Sequence, residues 1–138
     1  MENRPTASTV GRRFLWYHFP LILYAILVIG VSSVRNLRGP HVDFIALDKL
    51  AHFVEYALFA LLTWRSFSNL SSRLSANTAL LLSLLFLAVF ALIDEYFQSF
   101  IPGRHADAAD WATDILGAFL VLALLWIRRR RKAAAGRS

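Results

Sequence analysis

Apolar residues recur along this chain in four runs, approximately 14–33, 47–65, 77–99 and 108–127. Each approaches the roughly 20 residues with which a helix rising about 1.5 Å per residue crosses about 30 Å of hydrocarbon. Between them lie "RNLRGPHVD", "SNLSSRLSAN" and "IPGRHAD", where Gly, Pro, Ser and Asn interrupt the periodicity as turns do. The first run contains Pro20 and follows Gly11-Arg12-Arg13, but no small-residue cleavage site accompanies it, so it reads as a retained helix rather than a signal peptide. The pattern predicts an all-α, polytopic membrane protein with four transmembrane helices. It reads as one domain over 1–138, with a core at about 47–127 and polar tails at 1–13 and 128–138. No internal repeat of the kind many transporters carry is visible.

The polar positions inside the runs are spaced as helical faces. Asp48, His52 and Glu55 stand at i, i+4 and i+7, with Tyr56 one turn beyond His52. Asp94 and Gln98 are one turn apart, with Glu95 alongside, and Asp107, Asp110, Asp114 and Gly117 step by three, four and three. His52, Asp94 and Asp114 each fall about six residues from the same end of their helices, a depth of about 9 Å. An ionised side chain in hydrocarbon costs about 2.5–3.5 kcal/mol even on a lenient insertion scale, so these groups are expected to face one another or a water-filled pocket. The competing reading is interhelical glue, although such hydrogen bonds average well under about 1 kcal/mol each in membranes.

Composition agrees with a bilayer: 57% of the 138 residues are hydrophobic, only 17% are charged, and mean hydropathy is +0.51. There is no cysteine, which excludes disulfides, thiolate metal sites and cysteine nucleophiles. The net charge of +6 does not indicate nucleic acid, because the bases gather at the ends of the apolar runs. Arg4, Arg12, Arg13, Arg65, Arg73, Arg128–Arg131, Lys132 and Arg137 fall on one side, against Arg35, Arg38, Lys49 and Arg104 on the other. The positive-inside rule places both termini of a multi-pass plasma-membrane protein in the cytoplasm. The outward half then holds Asp43, Asp48, Glu55, Asp94, Glu95, Asp107, Asp110 and Asp114. Arg128–Lys132 are expected to touch anionic lipid headgroups, and Trp16, Tyr17, Trp64, Trp111 and Trp126 to form interfacial belts, with Trp111 also a possible floor for the pocket. Expected partners are membrane lipids and no nucleic acid; a homodimer is an open alternative for so small a bundle.

"DKLAHFVEYALFALL" (48–62), "DEYFQSFIPGR" (94–104) and "DAADWATDILGA" (107–118) together resemble the VanZ-like family of membrane proteins, named for a glycopeptide-resistance accessory protein associated with teicoplanin resistance. The matching positions are Asp48, Lys49 and His52; Asp94, Glu95 and Gln98; Pro102, Gly103 and Arg104; and Asp110, Asp114 and Gly117. Many relatives carry Asn where this chain has Asp114. The resemblance implies an envelope membrane protein linked to glycopeptide resistance and does not specify a reaction.

Residue by residue, Asp48, His52, Asp94, Glu95, Gln98 and Asp110 are the candidates for catalysis. His52 suits a general base oriented by a carboxylate. Asp94 and Glu95 form a possible acid/base pair, but adjacent helical residues point about 100° apart, so one of them, Asp94, is expected to face the pocket. Arg104, Tyr56, Asp107 and Asp114 are the candidates for substrate binding, Arg104 as a bidentate partner for a phosphate or carboxylate. Arg104 neutralising Asp107 or Asp110 is the alternative. His52 with Asp94, Glu95 and Asp110 offers donors suited to Mg, Mn or Zn, but no helix carries a ligand motif such as His-Glu-x-x-His, so no metal site is assigned and any cofactor is unknown. The expected function is binding, or hydrolase or transferase chemistry, on an anionic lipid-linked or cell-wall precursor. The alternatives are a non-enzymatic lipid- or antibiotic-binding or structural protein, and a proton-coupled carrier.

Overall fold

The computed structural model describes residues 7–33, 43–102 and 107–136, and every regular element in them is helical. The order is α1 (Ala7–Tyr17), α2 (Phe19–Ser32), α3 (Asp43–Phe67), α4 (Ala76–Gln98) and α5 (Ala108–Ala135). The first apolar run is therefore two helices that break at His18. Pro20 sits in the first turn of α2, where its missing N–H costs least. His18 and Ile22 still donate to the Phe14 and His18 carbonyls at 2.9 and 3.1 Å, so the chain continues in nearly the same path across the break.

Among the described residues, three segments are long and apolar enough to cross a membrane: Val10–Ser32, Ala76–Gln98 and Ala108–Ala135. α3 has the length, about 37 Å at 1.5 Å per residue. Asp48, Lys49, Glu55 and Arg65 make it less apolar than the other three. The polar C-terminal tail forms the last two turns of α5, which runs through the arginines to Ala135 before Gly136. Arg, Lys and Ala are among the best helix formers, and nothing in "RRRRKAAA" breaks the ladder.

The inside and outside of the bundle are inverted relative to a water-soluble protein. Leu81, Leu85, Val89, Leu92, Phe97, Leu116 and Phe119 are exposed, whereas Thr63, Ser66, Ser83, Asp94, Glu95, Gln98, Asp110 and Asp114 are buried. Apolar surface outside and polar groups inside are what a hydrocarbon solvent favours. Two of the small hydroxyls need no partner on another helix: Thr63 and Ser83 donate to the Phe59 and Ala79 carbonyls one turn back. Phe59, fully buried, anchors the apolar part through edge contacts with Tyr24, Tyr56, Phe86 and Phe90 at ring separations of 4.9–6.1 Å.

α3 and α5 form the most extensive helix pair. They approach closely because of Gly117, where a Cβ would collide with the Phe53 carbonyl oxygen. The contacts also give the bundle two unlike ends. Arg65 lies over Tyr17, Arg129 over Trp64 and Arg130 over Trp126, so one end is basic and aromatic. The start of α3, the end of α4 and the start of α5 meet at the other end, and there the acids collect.

Candidate functional site

At the acidic end α3 faces α5 through a ladder of charged pairs. Lys49 donates to Asp107 at 2.9 Å and to the fully buried Asp110. One turn further into the bundle, His52 Nδ1 meets Asp114 Oδ1 at 3.0 Å. An ionised carboxylate can only accept, so in this contact the imidazole donates from Nδ1. The stripe read from the sequence as Asp107, Asp110, Asp114 and Gly117 is thus the face of α5 turned to α3. Asp107 stands at its head as the N-cap, accepting the Ala109 amide at 2.8 Å, and Asp110 lies in the first turn, where the helix dipole favours an anion.

α4 buries both of its acids, but Glu95, not Asp94 as expected, is the one that joins the layer between α3 and α5, and Asp94 lines a neighbouring network. Both are buried, at 6% and 5% exposure. Their directions differ by the helical 100°, but α4 is packed on two sides and each direction ends in a neighbour. Asp94 accepts from Ser32 of α2 at 2.7 Å and from Gln98 at 3.0 Å. Glu95 Oε2 accepts the backbone amide of Asp107 at 2.9 Å, tying the end of α4 to the start of α5.

Two polar atoms in this layer are buried without a hydrogen-bond partner among the described residues: the Tyr56 hydroxyl and Glu95 Oε1. Tyr56 is 1% exposed, with Asp94, Glu95 and Asp114 in electrostatic reach. A buried polar atom with no partner costs about 1–3 kcal/mol, so two in one layer mark a place where something else can bind. Asp48, His52 and Asp110 also each place a ligand-type atom within 4.8 Å of the others. This trio shares His52 and Asp110 with the set considered from sequence, but Asp48 takes the place of Asp94 and Glu95.

Of the residues singled out from sequence, Asp48, His52, Asp107, Asp110 and Asp114 come together between α3 and α5, and Glu95 joins them through the Asp107 amide. Asp94 and Gln98 form a neighbouring network with Ser32. Trp111 is partly exposed and directs its indole N–H to the Ala88 carbonyl at 3.3 Å; it makes no floor for the site. Arg104, with Arg35, Arg38 and the Asp43 side chain, lies outside the described residues.

Two contributors were missed. Lys49 was visible as a lysine one position after Asp48 in an apolar helix, a cost that requires an acidic partner. Ser32 carried no such signal, since a serine at the end of an apolar run is ordinary.

A family model described as VanZ/LLP1 matches residues 6–129. The chain belongs to the VanZ/LLP1 family. The match extends over α1 and α2 as well as the three helices that carry the motifs, so the VanZ/LLP1 unit includes the helix that holds Ser32 against Asp94. No curated protein and no solved structure matches the chain.

Proposed function

We propose that this VanZ/LLP1 protein is a multi-pass protein of the bacterial cytoplasmic membrane in which α3 is a fourth crossing helix. Both termini lie in the cytoplasm, and the acid–histidine layer opens to the outer face. The layer binds an anionic group, phosphate or carboxylate, on a lipid-linked or cell-wall precursor, and this alters the response to teicoplanin. Lys49 and Arg104 supply positive charge to the ligand, and His52 Nε2, held by the Asp114 contact, serves as the base. The observation that carries the reading is the pair of buried polar atoms without partners, Tyr56 Oη and Glu95 Oε1, beside a histidine already oriented by a carboxylate. The mutual hydrogen bonding of Asp94, Ser32 and Gln98 favours a second role for the neighbouring network, as a polar clamp joining α2 to α4.

The test is the teicoplanin minimum inhibitory concentration of a susceptible Gram-positive host expressing each variant at equal membrane abundance. Wild type raises it; His52→Ala and Asp114→Leu return it to the vector control. Asp114→Asn keeps an oxygen able to accept from Nδ1 and retains most of the rise. A His52→Ala variant that protects as well as wild type would overturn the reading.

A further inference from the structure

The basic end of the bundle carries a cavity of its own, at the opposite pole from the acidic layer. It measures about 280 Å³ and lies between the start of α4 and the last turns of α5. Trp126, Arg129, Arg130 and Ala133 line it at i, i+3, i+4 and i+7, a single face of α5, while Ala76 and Asn77 close it from α4.

We propose that this cavity binds the phosphate of an anionic phospholipid, of the phosphatidylglycerol type, with the Arg129 and Arg130 guanidiniums as its principal contacts. The inference does not rest on the acidic layer and holds or fails without it. The two arginines are held in place but not neutralised. Arg130 lies 4.4 Å over the Trp126 ring and Arg129 lies 5.9 Å over the Trp64 ring of α3. Stacking occupies the face of a guanidinium and leaves its N–H edge free to take two oxygens of one phosphate. Among the described residues no acid shares this end. On α4 the first is Asp94, 17 residues past Asn77, and on α5 the last is Asp114, 15 residues before Arg129, more than about 20 Å away along each helix. On α3, Glu55 lies nine residues before Trp64, about 13 Å. The start of α4 adds to the positive field: Ser75 Oγ caps the Thr78 amide at 3.1 Å, and the Ala76 and Asn77 amides, the first two of the helix, have no carbonyl one turn back to serve them. Alone that would be an ordinary helix end; here it shares a cavity with two guanidiniums from another helix.

Position identifies lipid as the source of the phosphate. Ile127 ends the apolar run of α5, so Arg129 and Arg130 fall where the helix passes from hydrocarbon to headgroups, and basic pockets between helices at that depth suit anionic lipid. Apolar surface continues from the cavity toward the bilayer centre: Trp126 is 39% exposed, and Leu81, one turn past Asn77 on the same face of α4, is 57% exposed. An acyl chain can follow that surface, whereas a free phosphate ion gains nothing from it. Cavities that enclose a whole small molecule begin at about 300 Å³, so this one suits a headgroup whose chains stay in the membrane. A zwitterionic headgroup would bring an ammonium into a cationic cavity, which favours the anionic lipid.

The test uses the full chain, delipidated in mild detergent and titrated with phosphatidylglycerol or phosphatidylcholine of equal chain length, with retained lipid counted by native mass spectrometry. Wild type is expected to hold one phosphatidylglycerol per chain, about tenfold or more tighter than phosphatidylcholine, and soluble glycerol phosphate at the same concentrations is not expected to compete. Arg129→Gln/Arg130→Gln should weaken binding about tenfold or more. Arg128→Gln/Arg131→Gln removes the same charge from positions that do not line the cavity, and should change binding little. Asn77→Asp separates binding from folding: an acid in the first turn of α4 leaves the melting temperature unchanged or raised, yet a carboxylate inside the cavity repels phosphate and should abolish retention. Equal losses in the two double variants would overturn the proposal and mark general attraction to a basic tail. Wild-type binding by Asn77→Asp would overturn it as well, and so would displacement of the lipid by glycerol phosphate, which would mark a site for soluble phosphate.

Discussion

Gly117→Ala is expected to lower the melting temperature of the detergent-solubilised protein by on the order of 10 °C, read from the tryptophan fluorescence of a thermal ramp. The added Cβ falls on the Phe53 carbonyl oxygen, a backbone atom of α3 that cannot rotate aside. Overpacking of a close contact costs about 1–3 kcal/mol, and an immovable neighbour puts this case at the upper end; about 3 kcal/mol corresponds to a shift of that order for a chain this size. The damage also reaches the site. Gly117 lies one turn from Asp114, and Phe53 follows His52, so separating the helices here pulls apart the 3.0 Å contact between them. Gly30 supplies the control, because a Cβ there meets nothing within 4 Å. Gly30→Ala should be neutral or slightly stabilising, by up to about 1 kcal/mol. If both substitutions leave the melting temperature unchanged, α3 and α5 do not pack as described.

The second large effect concerns Lys49→Met. It keeps the length of the side chain but removes the ammonium from Asp107 and from Asp110, whose side chain is 0% exposed. Deleting one partner of a buried ion pair costs about 3–5 kcal/mol; with Lys49 itself 27% exposed and partly solvated, about 2–3 kcal/mol is expected. The sign distinguishes this from a simple loss of packing. Adding Asp110→Asn to Lys49→Met removes the stranded charge and should restore more than about 1 kcal/mol, a coupling that independent sites would not produce. Denaturation of the four proteins in parallel gives the cycle directly, and strict additivity would contradict the ion pair.

Much of the site was legible because helical periodicity sorts side chains into faces before any packing is known. The spacing of Asp48, His52 and Tyr56, and that of Asp110, Asp114 and Gly117, reads as two stripes, and charge in an apolar helix requires the stripes to meet. Periodicity does not say which neighbour each stripe meets. Asp94 was expected to face the pocket because a single helix offers one inward direction, whereas α4 packs against both α2 and α5, and it is Glu95 that faces the α5 side. Ser32 was invisible for the same reason: its role exists only in the pairing of α2 with α4. Gly117 appeared in the stripe as a residue without chemistry, and only the approach of Phe53 explains why it has no side chain. In the arginine tail, charge marks the end of the apolar span, which is a matter of solvent, whereas the end of the helix is set by backbone propensity and by Gly136.

The central claim is that the acid–histidine layer is a site open to the outer face of the membrane. Because the chain contains no cysteine, a single introduced thiol reports its own position. Asp48→Cys, at the mouth of the layer, should react with a membrane-impermeant maleimide on intact cells, while Arg129→Cys, at the basic end, should react only after permeabilisation. An Asp48→Cys protein that stays unlabelled until the membrane is opened, with Arg129→Cys labelled from outside, would contradict the account.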